Sequence, residues 1–399
     1  MQALHWLYRA LGGATALALM CAPGAIPAQA ATPQSWTVSG PAGSPVTAQL
    51  TIDAPGTLRF GVSHNGATVL SLSPIGIETS NANLTSGLTF NTRTDGTVQE
   101  RYPMTTGKQL SRSSTLNEST FAFTGSNGVG MRVVIRVSAQ GAAYRFVVAG
   151  GGSYTVRRET SSFAVPTNST AWLLPYSPNY ENIRVQTTAG GASSGDFGFP
   201  SLFDVGGRYA LLTESDVDGR YAGARLSHSA GSGTYTIKLD TEISASGTLS
   251  TPWRVAVVGD AATIAESTLV DDLAQPSRLG DTSWVRPGPV AWSWMAEHDS
   301  PKDPNRMMQY VDFAARNGWK YVLIDEGWSS TWVPSVTAYA RDRGIGILLW
   351  FHWSSLDTEA ERTTTLAQIK AWGGRDQGRL HGLRPGHHRR ARGRLLAGL

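Results

Sequence analysis

Polar and apolar residues alternate through most of the first 259 positions and then give way to runs with helical spacing. Leu58, Phe60 and Val62 alternate with polar neighbours, Asn65-Gly66 supplies a two-residue hairpin turn, and residues 68–72 return the chain. Met131, Val133, Ile135 and Val137 repeat the pattern, and Gln140-Gly141 turns it into residues 144–148. Further runs at 171–174, 209–213, 234–239 and 253–258 are separated by Gly, Ser, Thr and Asn. Many short alternating strands of this kind predict a large antiparallel sandwich over residues 35–259. No fixed-period repeat is present, which argues against a propeller or solenoid.

Past Asp260 the period changes. Residues 261–273 have helical character, Pro276 stops them, and 280–289 read as a linker. A short apolar run at 289–295 predicts a strand, and 307–315 repeat apolar residues at helical spacing. Residues 320–324 form another buried run, closed by Asp325, Glu326, Gly327 and Trp328. A helix over 333–343 ending at Gly344, a strand over 345–353 and a helix over 359–372 ending at Gly373 continue the alternation. Counted from Val290, this gives three βα units in register. The expected architecture is therefore an N-terminal antiparallel β-super-sandwich (31–283) followed by an incomplete (β/α)8 TIM-type barrel, its first half at 284–373.

Composition changes the picture at both ends. At 399 residues the chain is long enough for two domains. Arg9, the mostly apolar 11–20 and the small-x-small Ala28-Gln29-Ala30 predict a cleaved signal peptide over residues 1–30, hence a periplasmic or secreted protein with no membrane span after cleavage. Gly12, Gly13, Pro23 and Pro27 leave the run short of a membrane span. The single cysteine, Cys21, falls inside it, and Met20 before it does not suit a lipoprotein. The net charge of +4 is concentrated in residues 374–399, which hold seven Arg and one acid, so the remainder carries 27 basic and 29 acidic residues. This basic tail lies where a fourth barrel strand belongs, and it contains three of the eight histidines. Its residues are encodable by DNA whose neighbouring frame reads Ala-Gly-Ile-Lys-Val-Asp-Phe-Met-Asp-Ser, a strand ending in carboxylates. An out-of-frame tail is the expectation, and no nucleic-acid partner is inferred from its charge.

Candidate chemistry lies where the second parallel strand ends. Ligands in such folds sit beyond the carboxyl ends of the strands, and Asp325 and Glu326 fall there. A carboxylic acid that protonates the leaving oxygen and a carboxylate acting as nucleophile or base are what glycoside hydrolysis requires. Trp292, Trp294 and Trp328 offer flat apolar faces to sugar rings, and His352 is a candidate hydrogen-bonding partner for a hydroxyl. The same pattern also fits Trp292 and Trp294 as core, His352 as a satisfied core histidine, and the two acids as a helix cap.

These residues resemble glycoside hydrolase family 97. ESTLVDDLAQPSRLGDTSWVRPGPVAWSWM is similar to its join between sandwich and barrel, and KYVLIDEGW to its second barrel strand. RRETSSFAVP, PNYEN and YALLTESDVDGRYAGARL resemble its sandwich segments. The resemblance implies an exported α-glycosidase acting on α-galactosides or α-glucosides of an oligosaccharide or other glycoside, with a calcium ion to which the sandwich lends a glutamate. Glu181 in PNYEN is the matching candidate, and it fits an ordinary surface acid equally well. The Val-Asp-Phe of the alternative frame is similar to the family's retaining type, which places an aspartate nucleophile after the fourth strand. Three βα units leave out that nucleophile and the later glutamates, so the chain as written is expected to be inactive and the activity to be that of its intact parent. A non-catalytic carbohydrate-binding sandwich is the competing expectation.

Overall fold

A computed structural model describes residues 33–373 and the backbone of Leu395–Gly398. The expected signal peptide and most of the basic tail, with its frame question, lie outside the described residues.

The first region is a sandwich of antiparallel strands. Gln34–Ser39, Val46–Ile52, Leu58–His64 and Ala67–Ile75 form a meander. Asn65 and Gly66 both take positive φ, 50° and 76°, the backbone that a tight hairpin turn matching strand twist demands. The facing sheet runs Thr89–Pro103, Ser111–Thr124, Gly130–Ser138, Gly141–Val148, Trp253–Gly259 and Tyr209–Ser215. Gly195–Asp204 links the two layers. Its residues 201–204 pair with Tyr209–Ser215, and 195–197 pair with Ala224–His228, which leads through Thr234–Leu239 and Ser162–Ala164 to Ala67–Ile75. Pro200 sits between the two pairings, where a residue without an N–H interrupts no ladder bond.

Alternation explains the layering. Leu50, Phe60, Phe121, Val133, Ile135, Phe146, Ala256 and Val258 meet between the sheets. The other face of Trp253–Gly259, carrying Trp253, Val255 and Val257, packs with Leu269 and Leu273. That strand is buried throughout because helices Ala261–Glu266 and Leu269–Leu273 cover its outer face. The single helix expected over 261–273 is thus broken at Ser267, whose extended backbone ends the first segment.

The second region is parallel. Val290–Trp292, Tyr321–Ile324 and Gly346–Phe351 lie side by side, with Val290 opposite Tyr321 and Tyr321 opposite Gly346. Helix Pro304–Arg316 follows the first strand, its Pro304 at the first turn and the Asp303 carboxylate accepting from Asn305 N at 2.8 Å. Met307, Val311 and Ala314 form its buried stripe against Val322, Ile324 and Leu349. Helices Val333–Arg341 and Glu359–Gly373 complete the alternation. One expectation is corrected here. Residues after 374 were read as containing no strand, yet Leu395–Gly398 runs antiparallel beside Gly346–Phe351, with Phe351 opposite Leu395. The only apolar run of the tail, Leu-Leu-Ala-Gly, thereby satisfies backbone groups on an otherwise open edge.

Candidate active site

Parallel register brings Trp292 and Asp325 together. Trp292 ends the first strand opposite Leu323, and Asp325 follows Ile324 at the end of the second. The indole Nε1 of Trp292 donates to Asp325 Oδ2 at 2.7 Å, and the backbone N–H of Glu326 donates to Oδ1 at 2.7 Å. Asp325 is 4% exposed. A carboxylate whose two oxygens each accept a hydrogen bond is fixed in direction and remains an acceptor toward a third partner through its other lone pairs. Neither donor is charged, so no cation neutralises it through these bonds. Glu326 is exposed, and the nearby Lys302 ammonium is held by Asp299 at 2.6 Å. Asp299, then Glu326, raise the Lys302 pKa, and Lys302 in turn lowers that of Asp299. Gly327, at φ 111°, lets the Lys302 stem cross the backbone: a Cβ there would stand 3.0 Å from Lys302 Cγ.

The loop after the first strand is braced from within. Ser300 Oγ donates to Glu297 O at 2.5 Å and shares a hydrogen bond with Ser293 Oγ at 2.7 Å, both serines are buried, and Glu297 grips Arg306 of the following helix through both carboxylate oxygens. Arg306 lowers the Glu297 pKa. The loop carries exposed apolar side chains: Trp292 is 41% exposed and Met295 84%, and the Trp294 and His298 ring centroids lie 3.6 Å apart.

The expected site residues divide on this geometry. Asp325, Glu326, Trp292 and Trp294 gather at the ends of the first two parallel strands. Trp328 donates to Trp350 O at 2.9 Å and packs edge-on against Phe351 and Trp372, so its indole joins the third strand to the last helix rather than lying open to a ligand. His352 caps a short helical turn, its Nδ1 2.7 Å from Ser354 Oγ, with its exposed ring between Trp350 and Trp353. Glu181 lies in the exposed loop after Thr170–Pro175 and accepts from Asn179 at 2.8 Å. Among the described residues no three His, Cys, Asp or Glu side chains converge to hold a metal. Calcium takes six to eight oxygen ligands, so the described residues do not complete a calcium site around Glu181. Lys302, His298 and the Ser293–Ser300 pair were missed by sequence reasoning, since nothing in their spacing signals contact.

A sandwich leading into parallel βα units places carboxylates and indole faces at the strand ends, where ligands sit in such folds. Comparison with known proteins makes this specific. Residues 38–276 match the family model described as glycosyl-hydrolase 97 N-terminal, and 284–376 match the glycoside hydrolase 97 model. The chain belongs to glycoside hydrolase family 97. It is 45% identical over 359 residues to a Streptomyces bingchenggensis protein named "Probable retaining alpha-galactosidase", covering 85% of this chain and 56% of that one. A "Retaining alpha-galactosidase" of Bacteroides thetaiotaomicron is 25% identical over 393 residues, covering 82% of this chain and 57% of that one. Among solved structures, a beta-arabinopyranosidase superposes with TM-score 0.78 at 26% identity, covering 85% of this chain and 61% of the other. The fold is shared as well by a family 97 enzyme from Pseudoalteromonas sp. strain K8 solved with acarbose, at TM-score 0.70 and 22% identity over 78% of this chain and 53% of that one. The chain therefore spans a little over half the length of the curated relatives it matches.

Proposed function

We propose that this chain is the sandwich and first barrel strands of an exported retaining α-galactosidase. The observation that carries the reading is the Trp292–Asp325 pair: an indole face beside a buried, directionally fixed carboxylate at the ends of parallel strands. A sugar ring laid on Trp292 presents its hydroxyls to acceptor oxygens on Asp325, and Glu326 stands exposed at the rim for proton transfer or a second hydroxyl. Trp294 extends the platform, and His352 offers its remaining ring nitrogen at the end of the third strand. The nucleophile belongs to a later strand of the barrel, and so does the completion of the calcium site, to which Glu181 would give one carboxylate. No step is routed through the metal here.

The test is hydrolysis by a version whose frame is restored after Trp372, beside the chain as it stands. Release of sugar from an aryl α-galactoside by the restored version alone supports the reading. A restored version inactive on both α-galactosides and α-glucosides contradicts it. The arabinopyranosidase relative favours a second substrate for the same site, because a β-L-arabinopyranoside has the ring stereochemistry of an α-D-galactoside without the exocyclic carbon. The same assay with an aryl β-L-arabinopyranoside separates the two.

A further inference from the structure

We propose that Trp350 is a positioning residue: its indole N–H holds the carboxylate at the end of the strand that follows Gly346–Phe351 in the intact parent, as Trp292 holds Asp325. The inference rests on the reading above that the nucleophile stands on a later strand. Gly346–Phe351 alternates strictly, with Ile347, Leu349 and Phe351 buried in the core that includes the helices. Trp350 therefore belongs to the opposite, inner face. Trp292 and Asp325 follow core residues Ala291 and Ile324 and share that inner face. Ile324 pairs with Leu349, so one position further along Asp325 comes level with Trp350.

The Trp350 indole is a donor without an acceptor. Its Nε1 is buried and, among the described residues, has no hydrogen-bond partner. An indole N–H can only donate, and buried donors in native folds are nearly always paired. The nearest acid does not serve: Asp325 Oδ2 receives the Trp292 indole and Oδ1 the Glu326 N–H. His352, with its ring 6.2 Å from that of Trp350, directs Nδ1 to Ser354 Oγ instead. Trp253 in the sandwich also lacks an acceptor, but its ring lies under the Arg136 and Arg145 guanidinium groups, away from the strand ends. The place of Trp350, on the inner face beside Asp325, is what gives its free N–H a meaning.

The first pair shows the pattern. Trp292 stands opposite Leu323 and donates at 2.7 Å to the carboxylate two positions further along the neighbouring strand. Parallel strands repeat one spacing from each to the next, so an indole at the end of Gly346–Phe351 reaches a carboxylate at the corresponding place of the strand beside it. In the chain as it stands that edge is paired with Leu395–Gly398, Leu396 opposite Trp350, and Leu-Leu-Ala-Gly contains no side-chain acceptor. A donor on a nucleophilic carboxylate fixes its direction and favours its charged form.

Two measurements separate this inference from the reading it rests on. The Trp350 indole signal in a proton–nitrogen spectrum, assigned through its links to Leu349 and Phe351, is compared between the full chain as it stands and the version restored after Trp372. A downfield shift on restoration, relaxing as the pH falls below the carboxylate range, is expected whether or not the restored version hydrolyses a glycoside. An unmoved signal, or a shift indifferent to that pH change, overturns the inference. In a restored version active on an aryl α-galactoside, Trp350→Phe keeps the ring and loses the N–H. It is expected to lower kcat by roughly tenfold to a hundredfold at nearly constant KM and to move the acid limb of the pH profile upward. A raised KM at unchanged kcat would make the indole a sugar contact and overturn the assignment. An inactive restored version that still shows the shift defeats the α-galactosidase reading and leaves the indole–carboxylate pair standing.

Discussion

Both regions bury a carboxylate, and they surround it differently. In the sandwich, Glu159 is gripped by the fully buried guanidinium of Arg254 through both oxygens and receives the Tyr221 hydroxyl at 2.7 Å. Arg254 also reaches Glu214 at 2.6 Å, and Glu214 accepts from Ala224 N at 3.0 Å. Burial works against the charged Arg254, yet Glu159 and Glu214 outweigh it and hold its pKa above its ordinary value. In the parallel region Asp325 is buried beside neutral donors only, an indole and a backbone N–H, with exposed aromatics next to it. The Glu159 carboxylate is matched by a guanidinium, whereas Asp325 is oriented by neutral donors that leave acceptor lone pairs open. The contrast separates a buried carboxylate paired with a cation in the sandwich from one held only by neutral donors at the strand ends.

Breaking each side of that contrast gives graded effects. Removing the cation from the sandwich with Arg254→Met leaves buried Glu159 and half-buried Glu214 without their cation and is expected to cost about 3–5 kcal/mol in urea unfolding. Leu349→Ala, in the parallel core, is expected to cost about 2–5 kcal/mol and to act on that region while leaving the sandwich transition in place. Trp292→Phe removes one hydrogen bond from buried Asp325, about 1–3 kcal/mol. It should weaken sugar affinity in the restored-frame protein more than Trp328→Phe does. The smallest effect is a pH slope. Burial raises the Glu214 pKa, so its stabilising contribution is present below the ordinary glutamate range and lost as pH rises through the raised folded value. Unfolding followed across that window should show a shallower decline in Glu214→Gln than in the native chain.

Much of the architecture was legible because the periods were clean. Asn65-Gly66 between alternating strands marked its hairpin, and Met307, Val311 and Ala314 at helical spacing marked the helix that covers the parallel strands. Asp325 was placed at a strand end by the apolar run before it. What was not legible depended on contacts distant in sequence. The long hairpin Thr89–Pro103 with Ser111–Thr124 carries a mostly exposed polar edge strand, so its alternation is faint. Nothing in the sequence links Glu159, Glu214 and Arg254, which the fold brings together across 95 and 40 positions. Trp328 looked like a platform beside two acids, but its indole donates to Trp350 O and packs edge-on with Phe351 and Trp372.

The most direct test of the account is the hydrolysis of p-nitrophenyl α-D-galactopyranoside by the restored-frame protein with and without Asp325→Asn. An amide at 325 sets its N–H2 against either the Trp292 indole or the Glu326 backbone donor, so both charge and orientation are lost. The account predicts a fall in kcat/KM of roughly a hundredfold or more with the sandwich transition unchanged. Full activity in Asp325→Asn would contradict it and leave the strand-end carboxylate as a structural bond to Trp292.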